Sequence, residues 1–214
     1  MQIESLAVGM YQANCYAVIS ESSRKALIID PGEEPDRIQS WLEGLQAEPE
    51  AIFITHGHFD HIGAAVCLAK RFQVPILASL DELGYMKDRS HPIMAMTSEV
   101  LDAFLAAAPQ MVHGLHPGDR FSAADISWLA IEVPGHSDHS LCLYAEKENL
   151  LFTGDTLFAG SVGRTDVYHG SPLDLVKEIK EKLLVLPDET LVYPGHGPET
   201  SIAQERRMNP FFRR

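Results

Sequence analysis

The chain has 214 residues, a formal net charge of −13 and a hydrophobic content of 45%. This length is enough for one domain with its own core, and no internal stretch has the composition of a linker, so we expect a single domain over residues 1–214. The negative charge argues against binding to nucleic acid or to an anionic membrane surface.

The cysteines and the first residues indicate a compartment. Cys15, Cys67 and Cys142 are widely separated and form no CxxC pair, and an odd number of this kind suits a reducing environment. The opening MQIESLAVGM lacks the basic and apolar regions of a signal peptide, and no stretch is long enough to span a bilayer. We therefore expect a cytoplasmic protein without a membrane partner.

In chain order, the first part of the sequence alternates between short apolar strands and helical segments, as in an α/β protein. Strands are predicted at residues 3–8, 15–20, 26–29, 51–54 and 74–78, and helices at 36–45, 62–72, 80–86 and 98–107. Residues 79–119 are less regular than the rest.

The second part of the sequence is mostly strands followed by helices. Strands are predicted at residues 125–133, 140–145, 149–152 and 191–193, and helices at 171–186 and 199–208. The helix at 171–186 has a clear start, with Ser171 as N-cap and Pro172 at the first helical position. Two packed sheets with helices outside accommodate this order.

Ligand-type side chains are concentrated in THGHFDH, residues 55–61, directly after the strand at 51–54. Within the six positions 56–61 lie four ligand-type residues, His56, His58, Asp60 and His61. A pair at i and i+2 cannot share a helix face, but on a loop after a strand both rings can point at one centre. Imidazole and carboxylate are ligands for zinc and related ions. A surface loop with incidental histidines is the alternative, and the crowding favours a metal motif.

Three later segments share a design in which a strand is followed by a glycine and then a ligand-type residue. They are VPGHSDHS with His136, FTGDTLF with Asp155, and YPGHGPET with His196. The glycine lets the backbone turn sharply, so the next side chain projects from the edge of the sheet. Taken alone, Asp155 would be a turn residue more often than a ligand.

Seven ligands are too many for one tetrahedral zinc, which takes about four, and they suit two ions. One ion would take His56, His58 and His136, and the other Asp60, His61 and His196, with Asp155 bridging. Two ions about 3.5–4 Å apart would share a water whose pKa falls toward about 7, and the resulting hydroxide would attack a carbonyl. The same ions would stabilise the oxyanion that forms.

The ordered motifs THGHFDH, PGHSDHS, TGDTLF and YPGHGPET resemble the metallo-β-lactamase superfamily over nearly the whole chain. Asp30 in IIDPG falls where that superfamily has an acidic residue supporting the metal loop. GSVGRTD (160–166) and ERRMNPF (205–211) look like the glyoxalase II-type hydrolases, in particular their short bacterial form.

The resemblance implies an α/β protein with an αββα sandwich, in which two mixed sheets pack face to face with helices outside. It implies a metal site at one sheet edge and hydrolysis of a small-molecule thioester such as S-lactoylglutathione by a metal-bridging hydroxide. The implied metal ligands are the same seven residues, with Asp60 also catalytic because it orients the hydroxide. The cofactors would be two divalent ions, with zinc preferred and iron or manganese compatible.

The sequence departs from the family pattern at two places. The usual GHTPG is replaced by GHSDHS, and we interpret Asp138 and His139 as loop side chains rather than ligands. The chain ends soon after ERRMNPFFRR, without the C-terminal helical region that gives longer glyoxalase II enzymes glutathione contacts. The resemblance therefore predicts thioester hydrolysis but leaves glutathione recognition open. An aspartate at 155, where subclass B1 lactamases have cysteine, argues against lactamase activity.

Two residues are candidates for substrate binding. Arg164 could pair with a substrate carboxylate, although a bond to Asp166 is favoured, and Tyr168 lies at the pocket mouth or is simply exposed. No oligomeric state is predicted.

The main alternative function is a mononuclear iron persulfide dioxygenase. That enzyme would hold its iron with His56, His136 and Asp155 alone, and GHGPETS favours the hydrolase because it supplies His196. A binding module with a structural metal is disfavoured because structural zinc sites are closed, whereas this set leaves room for water. A nuclease is disfavoured by the net charge of −13.

Overall fold

Two six-stranded sheets form the centre of the fold, which is described from a computed structural model over residues 1–87, 98–166 and 172–213. The first sheet has the order β1 to β6, and the pairs β1–β2 and β2–β3 are antiparallel whereas β3 to β6 are parallel. Its strands are β1 Gln2–Val8, β2 Ala13–Ile19, β3 Lys25–Ile29, β4 Glu48–Phe53, β5 Ile76–Ser79 and β6 Val112–Leu115.

The second sheet has the order β14-β13-β10-β9-β8-β7, and only β10 and β13 run parallel. Its strands are β7 Arg120–Ala123, β8 Ile126–Glu132, β9 Leu141–Ala145, β10 Leu150–Gly154, β13 Leu191–Pro194 and β14 Thr200–Ser201. A separate hairpin joins β11 Leu157–Phe158 to β12 Ser161–Val162.

Helices cover the outer faces of both sheets. They are α1 Pro35–Gly44, α2 Phe59–Ile62, α3 Ala65–Phe72, α4 Leu80–Tyr85, α5 Ser98–Met111, α6 Pro172–Glu178 with a π-helical continuation Ile179–Leu183, and α7 Ile202–Met208. In the part of the chain that the structure describes, no helix is long and apolar enough to cross a membrane.

Alternation along the strands divides the apolar residues between three layers. In β2, Cys15 and Ala17 pack with α1 and α3 on the outside, while Tyr16 and Val18 face the second sheet. Trp128 and Phe152 fill the layer between the sheets from the other side. A third layer lies between the second sheet and α6, its π-helical continuation and α7. This arrangement confirms the predicted αββα sandwich with two mixed sheets.

Several elements differ from the sequence-based expectation. The edge strands β6 (VHGL) and β7 (RFSA) were not predicted, because they are short, half-polar and lie in the irregular region. The helix expected at 62–72 is two helices, with α2 lying inside the motif. Helix α7 starts at Ile202 because Thr200 and Ser201 pair with β13, and Ser201 is then its N-cap, accepting from the Gln204 N–H. Ser171 lies outside the described residues.

The parallel strands bring the predicted site residues to one edge of the sandwich. Asp30 follows β3, the THGHFDH motif follows β4, and Asp155 and His196 follow the parallel pair β10 and β13. Backbone bonds between the sheets tie this edge together, from Asn14 N–H to Gly195 O at 2.7 Å and from Leu141 N–H to Thr55 O at 2.8 Å. Predicted ligand residues carried by different sheets therefore meet.

The layer between the sheets supplies a test of the fold. Phe152, 1% exposed, packs against Tyr16, Trp128 and Tyr193. We expect Phe152→Ala to lower the free energy of unfolding by about 3–5 kcal/mol, because it leaves a cavity between two sheets that cannot collapse. Urea unfolding measures this loss. The control Val185→Ala, at a side chain 68% exposed, should change it by less than about 0.5 kcal/mol. Equal effects would contradict this packing.

Candidate metal centre

Three buried imidazoles converge at the ends of β4 and β8. The Nδ1 of His58 lies 3.0 Å from the Nε2 of His56 and 3.0 Å from the Nε2 of His136, and the two Nε2 atoms are 3.3 Å apart. We call these three residues the first cluster. His56 and His58 come from the motif loop, and His136 reaches them from the other sheet.

The spacing of these nitrogens fits a divalent metal. Zinc with Zn–N distances of about 2.0–2.1 Å and tetrahedral ligands places its nitrogens about 3.3–3.4 Å apart. The observed distances of 3.0–3.3 Å come close to that value. Burial, and then the neighbouring histidines, hold the pKa values of His56 and His58 well below the usual range, so both rings are neutral. Neutral imidazole is the form that binds metal.

Hydrogen bonds behind the rings select which nitrogen faces the cluster. The Nδ1 of His136 lies 2.8 Å from the carbonyl oxygen of Arg164, which can only accept, so this nitrogen carries the proton. The Nδ1 of His56 lies 3.0 Å from the Thr55 hydroxyl, which itself donates to Asp30. Both Nε2 lone pairs are therefore free to face the first cluster.

A second cluster consists of Asp60, His61 and His196. The Nε2 of His196 lies 3.4 Å from Oδ2 of Asp60, and the Nε2 of His61 lies 3.8 Å from the same oxygen. The Nδ1 of His61 faces Asp30 at 3.0 Å, which turns its Nε2 toward the cluster. His196 is the most exposed of the three, with 28% of its side chain accessible. The second cluster is therefore the more open one.

The carboxylate of Asp155 lies between the two clusters. Its Oδ1 is 3.4 Å from the Nε2 of His61, and its Oδ2 is 3.6 Å from the Nε2 atoms of both His136 and His196. One side chain thus contacts the first cluster through His136 and the second through His61 and His196. A carboxylate can give one oxygen to each of two ions, and this position suits that use.

Carboxylates surround the buried His61 of the second cluster. Burial by itself lowers the pKa of His61, but Asp155, Asp30 and Asp60 outweigh it and raise that pKa to about 10. Burial likewise raises the pKa of Asp60, yet the hydrogen bond from His196 and the charge of His61 hold it well below the usual range. The carboxylates that stabilise a buried proton on His61 would equally stabilise a metal cation in its place.

Of the five buried side-chain atoms that make no hydrogen bond within the described residues, two belong to the predicted metal ligands and face each other. They are Nε2 of His61 and Oδ1 of Asp155, which lie 3.4 Å apart without a bond between them. An unsatisfied buried polar atom costs about 1–3 kcal/mol. A cation between them would satisfy both, so the donor set fits a metal.

Two glycines allow the loops to come together. Gly154 has a φ of +49°, and a Cβ there would clash with Thr55 of the opposite sheet. A Cβ on Gly195 would clash with Oδ1 of Asp155 and with the ring of His61. Gly154 thus permits the predicted sharp turn before Asp155, whereas Gly195 is needed for space beside the ligands.

The structure brings all seven predicted ligand residues together and places Asp30 behind them. Within the described residues, neither Asp138 nor His139 belongs to a group of side chains that could hold a metal ion together. The His139 ring instead lies 3.0 Å from Glu132. Arg164 makes a two-pronged bond to Asp166, the arrangement favoured from the sequence. Tyr168 falls outside the described residues.

Sequence reasoning missed two supporting residues. Thr55 bonds both Asp30 and His56, and its position at the start of the motif was the available signal. Glu82 contacts both loops of the first cluster from α4, and no motif surrounds it.

The chain matches the family model of the metallo-beta-lactamase superfamily over residues 8–196. The fold, with histidines and aspartates gathered at one edge of the sandwich, is that of a metallohydrolase. The chain belongs to the metallo-β-lactamase superfamily.

Relatives of similar length match almost end to end. Hydroxyacylglutathione hydrolase GloC from Haemophilus influenzae is 35% identical over 213 residues, covering 99% of this chain and 98% of that protein. Protein ML0493 from Mycobacterium leprae is 35% identical over 214 residues, covering 99% of this chain and 98% of its own length.

Solved structures share the fold at comparable identity. The BLEG-1 B3 metallo-beta-lactamase superposes with a TM-score of 0.83 at 32% identity, covering 99% of both chains. TTHA1623 in a di-iron-bound form gives 0.79 at 33% identity, covering 97% of this chain and 99% of that one. ETHE1 from Myxococcus xanthus gives 0.78 at 30% identity, covering 98% and 84% respectively.

Asp30 offers a test of the support behind the site. Its buried carboxylate accepts from Thr55 N–H at 2.8 Å and from the Thr55 hydroxyl at 2.6 Å, and it faces His61 Nδ1 at 3.0 Å. We expect Asp30→Ala to cost about 3–5 kcal/mol of unfolding free energy, the range for a broken buried charge pair. Urea unfolding with chelator present measures it without a contribution from metal binding.

The matched control is Asp36→Ala. The Asp36 carboxylate, 88% exposed, pairs with Arg71 at the surface, and such pairs contribute less than about 1 kcal/mol. If the two substitutions had the same effect on the unfolding free energy, the assigned role of Asp30 would be wrong.

Proposed function

We propose that the protein is a binuclear metallohydrolase that cleaves the thioester of a small acid, such as S-lactoylglutathione, to the acid and a thiol. The observation that carries this proposal is the position of Asp155, with one oxygen toward His61 and the other toward His136 and His196. A carboxylate placed in this way serves two ions better than one. The 35% identity to hydroxyacylglutathione hydrolase GloC supports the thioester as substrate class.

The proposed ligand assignment follows the two clusters. His56, His58 and His136 would hold one ion, and Asp60, His61 and His196 the other, with Asp155 shared. Zinc is the preferred ion, and iron and manganese are compatible with the same histidines and carboxylates. When bound, two such ions supply Lewis-acid chemistry, lowering the pKa of water toward about 7 and polarising a carbonyl.

Asp60 is the proposed catalytic carboxylate. Because His196 and His61 keep its pKa well below the usual range, Asp60 is ionised at neutral pH and can accept a hydrogen bond from the attacking water. Its side chain is 13% exposed and lies on the more open side of the site, next to His196. Asp60 would thereby aim the water at the thioester carbon.

The leaving group explains why no strong acid is required of the protein. The water oxygen forms the new C–O bond, the C–S bond breaks, and the sulfur leaves with the electron pair. A thiol with a pKa of about 8–9 leaves readily as thiolate and takes a proton from solvent. A thioester is in this respect an easier substrate than an amide.

A second candidate function is a mononuclear iron persulfide dioxygenase. The structural similarity to ETHE1 from Myxococcus xanthus fits this alternative. Such an enzyme would use His56, His136 and Asp155 with a single iron. The complete second cluster of Asp60, His61 and His196 favours the hydrolase, because a single iron would leave it without a role.

Metal analysis with two activity assays separates the candidates. We expect about two divalent ions per chain, hydrolysis of S-lactoylglutathione or a related thioester, and loss of hydrolysis after chelation that is restored by added zinc. A protein that holds one iron per chain and consumes oxygen with glutathione persulfide, without hydrolysing thioesters, would overturn the proposal.

Substitutions test the ligand assignment. We expect Asp155→Ala to lower thioester hydrolysis by more than about 100-fold, since loss of the shared ligand should exceed the roughly 10- to 100-fold effect of residues behind the ligands. His139→Ala, whose ring pairs with Glu132, should change the rate by only a few-fold. Steady-state kinetics with metal content measured in parallel gives both values. Equal losses would show that the GHSDHS loop had been misinterpreted.

A further inference from the structure

Glu82 is a buried carboxylate that contacts both loops of the first cluster. It lies on α4, the helix after β5, and only 3% of the residue is exposed. Its Oε1 accepts the Gly57 N–H at 2.8 Å. Its Oε2 accepts the Ser137 hydroxyl at 3.0 Å and the His139 N–H at 3.2 Å. Gly57 lies between His56 and His58, Ser137 directly follows His136, and His139 lies three residues after His136.

Only a carboxylate matches this arrangement. Three donors approach from two directions, and each carboxylate oxygen takes those on its own side. An amide in the same place has one accepting oxygen and would turn an NH₂ group toward a donor. Burying a carboxyl group is costly. Burial raises the pKa of Glu82 to about 7, although the hydrogen bonds from the three donors lower it.

Hydrogen bonds within the loop that carries His136 connect this residue to the contact with Glu82. Gly135 N–H bonds to Ser137 O at 2.9 Å, and Val133 N–H bonds to Ser140 O at 2.9 Å. The Ser137 hydroxyl also lies 2.6 Å from that of Ser140. The unusual GHSDHS sequence thus provides a serine hydroxyl and a backbone N–H to Glu82.

We propose that Glu82 is a positioning residue that fixes the motif loop and the His136 loop at the separation the first cluster needs. It touches neither substrate nor metal and acts through Gly57, Ser137 and His139. Its influence should stop at the first cluster, since His61 of the second cluster is held by Asp30. This inference rests on the proposed function only in assuming that the first cluster binds a metal.

Titration with Co²⁺ of the full chain, depleted of metal by a chelator, tests the proposal. Visible absorption reports the ligand geometry of each bound equivalent. In Glu82→Gln we expect the affinity for one equivalent to fall by about 10- to 100-fold, as for other residues behind metal ligands, with a changed spectrum for that equivalent. The affinity of the other equivalent should stay at the parental value.

Two further variants keep the result interpretable. Ser137→Ala removes one donor and leaves the carboxylate in place, so it should lower the affinity for the same Co²⁺ equivalent by a smaller factor than Glu82→Gln. This variant still tests the proposal if Glu82→Gln fails to fold. The control is Asp125→Asn, whose carboxylate accepts from Ser20, Ser22 and Ser23 at the end of β2 opposite the metal-site edge. This control should leave both equivalents and their spectra unchanged.

The outcomes separate this inference from the proposed function. The role of Glu82 would be overturned if folded Glu82→Gln and Ser137→Ala bound both Co²⁺ equivalents with the parental affinity. It would also be overturned if these variants lost affinity equally for the two equivalents. A parent chain that binds a single equivalent would overturn the binuclear hydrolase. In that case, weaker binding of the single Co²⁺ ion in both variants would still support the positioning role of Glu82. Unchanged binding of that ion would overturn this role.

Discussion

The register between the two sheets is the constraint on which the site depends. Each cluster combines side chains from both sheets: His56 and His58 meet His136, and Asp60 and His61 meet His196. Neither sheet could assemble either of these two clusters alone. The short backbone bonds from Asn14 to Gly195 and from Leu141 to Thr55 hold the two edges together. A shift of about one residue at this edge would move ligands by roughly 3.3 Å and separate the clusters.

The two clusters differ in charge, and the difference has a simple origin. The first is made of imidazoles whose pKa values burial lowers, so it offers neutral nitrogens. The second contains a carboxylate of its own and is backed by Asp30, and these carboxylates raise the pKa of His61. Asp155 faces both clusters. If both clusters hold a metal as proposed, the second, with its carboxylate, would be the harder of the two sites.

Support for the clusters comes from polar groups behind them rather than from the apolar core. Thr55 and Asp30 orient His56 and His61, the Arg164 carbonyl orients His136, and Glu82 joins the two loops. Thr55, Asp30 and Glu82 are buried, and the two carboxylates are satisfied by specific donors. Such networks hold ligands in place because every displaced partner leaves an unpaired polar atom in a dry interior.

The amino-acid sequence by itself predicted the sandwich architecture, which the structure confirms, and the types and order of the side chains proposed as ligands, because strand periodicity and histidine spacing are local properties. It also placed Asp30 and the glycines before Asp155 and His196 correctly. The motifs also suggested the grouping into two clusters with Asp155 between them. Only the tertiary structure gave the distances between these side chains and showed that the His139 ring turns to Glu132. It also brought Glu82 beside a loop 25 residues away. These facts arise from the packing of α4 and two sheets, and no local pattern encodes such contacts between distant segments.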